Sequence, residues 1–217
     1  MISSPYITTT LVSVVNLNAR QMDNKIYKNL KENLIKNLEN KCYRNYGFIS
    51  KIYNVEQYTD GFIIAENPTA SATFKLKFNC RLCNPLKNQN IVCKLMKILS
   101  KNAFINSQNG PITVISTATR INEEVFHKEP NTGKLWYKNS DGSNIEVKPG
   151  SYVVVNIESK SFNDKDDIIM ALGTIIRLAT EEEINNSFKD EYGVDQMNNV
   201  IDFDEYIKSE NVEQTEN

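Results

Sequence analysis

The chain has 217 residues and a mass of 24.8 kDa, 40% of them hydrophobic and 24% charged, the balance of a folded chain of one or two domains. Its longest apolar runs, Tyr152 to Val155 and Ile168 to Leu172, fall far short of the roughly 20 residues that cross a bilayer, which excludes a transmembrane helix. A single histidine, His127, excludes HExxH zinc sites and multi-histidine metal centres, and GxxxxGK[ST], GxGxxG and GxSxG are all absent. An enzyme with its own active site is therefore not expected, and neither is a cofactor.

The first cation is Arg20, after the apolar opening stretch, which is the wrong order for a signal peptide, so residence in a reducing compartment is expected. Asparagine occurs 29 times beside frequent Lys and Ile, a bias that reflects an AT-rich genome. The net charge of −2 conceals a split: residues 181–217 hold 12 acidic residues against Lys189 and Lys208, a net of −10, so the preceding body carries +8. A basic body with an acidic tail suits a nucleic-acid-facing domain with a self-screening or interaction segment, and equally an ordinary solvated surface with a disordered end.

In chain order, Ile7 to Val15 is predicted as a strand, followed by a helix from about Asp23 to Glu39. Ile26, Leu30, Leu34 and Leu38 recur every fourth residue to form its apolar stripe, with Asp23 or Asn24 as the cap. Strands are predicted at Tyr46 to Tyr53, Gly61 to Ala65 and Ala72 to Cys83. The polar, proline-containing stretch from Asn84 to Asn90 is suited to a domain junction. Further strands are predicted at Ile91 to Leu99, Ala103 to Asn106, Ile112 to Ser116, Lys134 to Tyr137, Ser151 to Ser159 and Ile168 to Leu178. Short strands, frequent turns and little helix suggest a Greek-key barrel of the OB type. Glu181-Glu182-Glu183 can open a short helix, and after about Asn198 the composition favours disorder.

Cys80 and Cys83 form one CxxC, but within a continuous strand their side chains point to opposite faces, so buried thiols are favoured over a metal pair. Asp164, Asp166 and Asp167 have the hard oxygen ligands a divalent cation takes, yet they sit at a hairpin tip where Asp and Asn serve the turn. His127 lies in a polar loop without a sequence partner, and Trp136 and Tyr137 suit either a core or a stacking platform. Lys94, Lys97, Lys101 and Phe104 fall in the opening hairpin of the barrel, where single-strand binders combine cations with aromatic platforms.

The spacing Leu30-x3-Leu34-x3-Leu38-Glu39-x2-Cys42-x3-Tyr46-Gly47-Phe48-Ile49 resembles the larger stalk subunit of archaeal and eukaryotic RNA polymerases, called subunit seven in RNA polymerase II. The resemblance continues over about 170 residues through Gly61, Phe74-x-Leu76-Lys77-Phe78, Ile91-Val92, Asn102-Ala103-Phe104, Gly110-Pro111 and Asn163-Asp164-Lys165-Asp166 to Ala171-Leu172-Gly173-Thr174-Ile175. It implies an α+β chain with a truncated RNP-like tip domain over residues 1–85 and an S1/OB β-barrel over 86–180, the acidic tail at 181–217 being additional. It also implies a noncatalytic subunit with no metal, docked at the base of the polymerase clamp and contacting nascent RNA. The expected partners are the largest and second-largest polymerase subunits, the small clamp-base subunit and a smaller stalk partner, with no membrane. By position, Asn18, Arg20, Gly61, Asn67 and Pro68 are assigned to docking, and Lys94, Lys97, Lys101 and Phe104 to RNA.

The sequence departs from that family at Asn67-Pro68-Thr69-Ala70, which replaces a glycine-rich turn, at Ala103, which replaces a glycine, and in the polar stretch from Glu123 to Lys148. Such divergence with the Asn, Lys and Ile bias is similar to a copy from a large DNA virus, expected in the virion and host cytoplasm; a cellular copy is expected in the nucleus. The alternative reading is a free-standing regulator that binds single-stranded RNA through an S1 domain.

Overall fold

The computed structural model describes residues 2–63, 71–99, 104–129, 134–139 and 142–192. The first half is a curved antiparallel sheet with one helix on it. Strand β1 (Tyr6–Leu17) pairs along its whole length with β5 (Ala72–Cys83), which pairs in turn with β3 (Gly47–Tyr58) and, at its opening residues, with β4 (Phe62–Ile63); β2 (Lys41–Tyr43) completes the far edge on β3. Alternation in β5 turns Phe74, Leu76, Phe78, Cys80 and Leu82 to one face, where helix α1 (Ile26–Leu38) covers them with Leu30 and Leu34. The helix begins later than Asp23, at Ile26. The Asp23 carboxylate accepts instead from the Lys25 N–H at 2.9 Å and the Asn29 amide at 3.0 Å, so it closes the preceding turn. Tyr46 likewise lies in a turn and not in the strand that opens at Gly47.

Strands β6 (Asn90–Leu99), β7 (Phe104–Asn109), β8 (Ile112–Ser116), β12 (Tyr152–Ser161) and β13 (Ile169–Leu178) close a barrel in the order β6-β7-β8-β13-β12. Only the β8–β13 contact is parallel, and it is the pairing that closes an OB-type Greek key. Inward-facing Leu95, Ile112, Val114, Val153, Val155, Ile157 and Ile169 fill the interior. Between β8 and β12 the polar stretch of the sequence folds into a small antiparallel sheet. It consists of β9 (Phe126–Lys128), β10 (Leu135–Lys138) and β11 (Asn144–Val147), of which only β10 was foreseen. Phe126, Leu135 and Val147 bury one face of this sheet against the barrel.

Sheet and barrel share a core, because Cys42, Phe48 and Cys83 pack with the barrel residues and not with α1. The β12–β13 hairpin grips the first sheet through the backbone: Cys42 N–H donates to Asp166 O at 2.7 Å, and Lys165 N–H donates to Cys42 O at 2.8 Å. Asp164 accepts from the Arg44 N–H at 2.7 Å, at a residue held at φ +48°, and Asp166 accepts from the Asn163 N–H at 2.6 Å. On the other side, Lys160 Nζ bonds Asn84 Oδ1 and donates to Pro85 O at 2.8 Å. Gly47, the centre of the Tyr-Gly-Phe motif, has φ +133°, and a Cβ there would lie 2.4 Å from Cys83 O.

Helix α2 (Glu181–Tyr192) follows β13 and packs back across β6. Arg177 holds Glu183 in a two-pronged pair at 2.8 and 2.5 Å, and Glu183 also accepts from the Thr180 N–H at 3.0 Å. The Arg177 hydrogen bond, more than any other influence, pulls the Glu183 carboxyl from 4.5 down to about 2. Its stabilisation is thus fully present above pH 4.5 and is lost as pH falls towards 2. Allowing for solvent screening at this partly exposed pair, about 1 kcal/mol is expected to disappear over that window. Urea unfolding at stepped pH will show this loss in the natural chain and its absence in Glu183→Gln. Replacing Gly47 by Ala is expected to cost about 2 kcal/mol or more, through an unfavourable φ and a clash with backbone, measured as a lower urea midpoint.

Candidate nucleic-acid interface and docking end

Lys94 and Lys97 are three residues apart on β6, a spacing that in a regular strand places side chains on opposite faces. A register shift between Leu95 and Lys97 makes Met96 the extra residue of a bulge. Leu95 therefore points inward while Lys94 and Lys97 are both exposed on the outer surface. The bulge brings together the two cations that the sequence reading assigned to one patch. The backbone of Phe104 is placed in β7 opposite Leu99, and Lys101 lies outside the described residues.

Two cross-strand rows run outward from these lysines. One joins Tyr152, Lys94, Gln108, Thr113 and Met170, and the next joins Lys97, Asn106, Ile115 and Leu172. Met170 and Leu172 are exposed, so this outer face grades from cationic on β6 through amide and hydroxyl positions to thioether and aliphatic groups on β13. Such a surface can neutralise phosphates at one side and make apolar contacts with bases at the other. Tyr152 was not singled out from the sequence; its place in the lysine row depends on the β12–β6 register.

The assigned docking residues gather at the end of the first sheet remote from the barrel. Ala72 pairs with Leu17 on one side and Ile63 on the other, so Asn18, Arg20 and Gly61 share that end, while Asn67 and Pro68 lie outside the described residues. The Asn18 N–H donates to Gln21 Oε1 at 3.2 Å, and Asn33 binds both Gln21 and the Asn16 carbonyl, tying the turn after β1 to α1. Arg20 is exposed. A Cβ on Gly61 would lie 2.6 Å from the Phe74 ring, so glycine lets the chain pass directly over that ring into β4. Beyond it, Phe62 is 67% and Ile63 55% exposed, with Tyr58 also exposed nearby. Phe62 and Ile63 fall in the strand predicted at Gly61 to Ala65, but their exposure follows from the two-residue β4 lying at the end of β5, which the sequence does not encode.

The remaining candidates have structural settings. Cys80 packs under α1, Cys83 packs in the barrel cluster, and burial pushes their thiols up to about 11 and 12. Asp164 and Asp166 are used by the hairpin bonds described above. His127 is exposed opposite half-buried Trp136 on the inserted sheet, and Tyr137 turns inward to meet Phe126 with ring centres 5.1 Å apart. No helix among the described residues is long and apolar enough to cross a membrane.

No family model matches the chain. It is 28% identical over 188 residues, 87% of its own length and 90% of the other, to the provisionally named DNA-directed RNA polymerase subunit L376 of Acanthamoeba polyphaga mimivirus. It is 24% identical over 161 residues to DNA-directed RNA polymerase II subunit RPB7 of Glycine max, covering 74% of this chain and 86% of that one. With DNA-directed RNA polymerase II subunit 7 of Arabidopsis thaliana it shares 27% identity over 120 residues, 54% of this chain and 65% of the plant protein. The resemblance drawn from the Tyr-Gly-Phe motif and the barrel strands therefore holds: the chain is similar to a viral RNA polymerase subunit and to RPB7-type RNA polymerase II subunits of plants.

Proposed function

We propose that the chain is a noncatalytic stalk subunit of a multisubunit DNA-directed RNA polymerase, anchored by the far end of its first sheet and holding nascent RNA on its barrel. The observation that carries this reading is the separation of two unlike surfaces on one framework. β5 alone runs about 36 Å, at roughly 3.3 Å per residue, from the exposed Phe62 and Ile63 to the barrel junction at Cys83. An exposed apolar end beside Arg20 suits burial in a protein partner, and the lysine face suits a polyanion. The partners proposed are the largest and second-largest polymerase subunits, the small clamp-base subunit and a smaller stalk subunit. Relatives of both viral and cellular origin leave two settings for the complex, a virion with host cytoplasm or a nucleus.

Phe62→Asp places a charge where the docking reading needs an apolar contact. Affinity capture of the tagged full chain, with mass spectrometry of what it retains, is expected to recover the large polymerase subunits with the natural chain and at least tenfold less with this variant. Recovery of RNA or ribosomal proteins without polymerase would favour a free-standing RNA-binding regulator instead. RNA binding itself is expected to weaken steadily between about 50 and about 500 mM salt, as counterion release requires. Affinity undiminished over that range would remove the electrostatic part of the proposal.

A further inference from the structure

The lysine row of the barrel contains one aromatic residue with a described side chain, and that residue is covered. Tyr152 stands directly opposite Lys94 in the β12–β6 register, next to inward-facing Val153, which turns it to the outer face. The ring of Phe188 meets it edge to face, with centroids 5.4 Å apart and planes inclined by 64°. Phe188 reaches this point because α2 leaves β13, passes β12 and comes to rest on β6, two strands away. The same helix opens with three glutamates, of which Glu181 and Glu182 are exposed and Glu183 is held by Arg177.

We propose that Tyr152 is a base-stacking residue of the RNA face, and that in the free chain Phe188 of α2 occupies the surface on which the base stacks. This inference rests on the reading of the barrel as an RNA binder. An aromatic ring within reach of a cation is the pairing that single-strand binders use for base and phosphate together. Phe188 stands in for the base. The cover is built to be displaced. A 12-residue helix is marginal alone, and α2 is held by a narrow stripe including Ile184 and Phe188 and by the Arg177–Glu183 pair at its first turn. Release of Phe188 leaves that ion pair intact, so the distal part of the helix can lift while its root stays fixed.

The test uses the full chain and fluorescence anisotropy with a short labelled oligouridine at constant salt. Phe188→Ala is expected to tighten binding roughly threefold or more, and Tyr152→Leu to weaken it roughly fivefold or more, the low end of a base–aromatic stack. Tyr152→Phe keeps the ring and is expected to bind like the natural chain, and Phe188→Ala added to Tyr152→Leu is expected to give no tightening. Thermal melts of each variant confirm folding, and Phe188→Ala, which leaves Tyr152 in place, keeps the proposal falsifiable if Tyr152→Leu fails to fold. A chain carrying Lys94→Glu and Lys97→Glu separates the two levels of the argument. If it binds weakly while Phe188→Ala and Tyr152→Leu both bind as the natural chain does, the stacking assignment is overturned and the RNA face stands. If charge reversal changes nothing, the RNA face is wrong and the proposal falls with it.

Discussion

The reciprocal backbone bonds between Cys42 and the Lys165–Asp166 turn are the constraint on which the rest of the molecule depends. They join a strand of three residues to a hairpin more than a hundred residues later, and they do so with groups every amino acid possesses. Positive-φ residues on both flanks, Asn40 and Arg44, limit β2 to those three residues and aim its edge at the hairpin. Around this contact, Phe48 and Cys83 enter the barrel core, so the hydrophobic interior continues from one half to the other. Losing the bond from buried Cys42 would leave its N–H without an acceptor, which costs more than the bond itself contributes. The carboxylates of Asp164 and Asp166 reinforce the same contact.

From that fixed point the chain extends towards the two surfaces proposed for docking and for RNA. β5 carries the framework outward, paired on both sides for most of its length, and delivers an apolar cluster to its far end. In the other direction, β6 begins immediately after the linking segment and presents its lysines within the next turn of the barrel wall. Gly61 and the Met96 bulge are local irregularities with comparable roles: one lets the chain cross a phenyl ring, and the other rotates a lysine onto its neighbour's face.

Much of this was legible in the residues, for identifiable reasons. Ala72–Cys83 and Ile112–Ser116 were placed to the residue because their alternation is strict and their ends are marked. Helix α1 was legible from its fourfold apolar spacing, although its start was displaced because Asp23 caps a turn instead of a helix. The sheet of β9, β10 and β11 was largely invisible, since strands of three and four residues with mixed polarity fall below the length at which a period can be recognised. The common face of Lys94 and Lys97 was anticipated by position alone, and its cause lay in pairing that no single strand encodes. Tyr152 and Phe188 escaped notice because 36 residues separate them and only the path of α2 unites them.

The placement of the four cysteines has a chemical consequence. All are buried, and burial raises every thiol, to about 11 for Cys42 and Cys80 and about 12 for Cys83 and Cys93. Oxidation and disulfide exchange proceed through an accessible thiolate, which none of these groups offers at neutral pH. The thiols of the folded chain are accordingly shielded from disulfide exchange, so no cross-link between cysteines is expected whether the surroundings are oxidising or reducing.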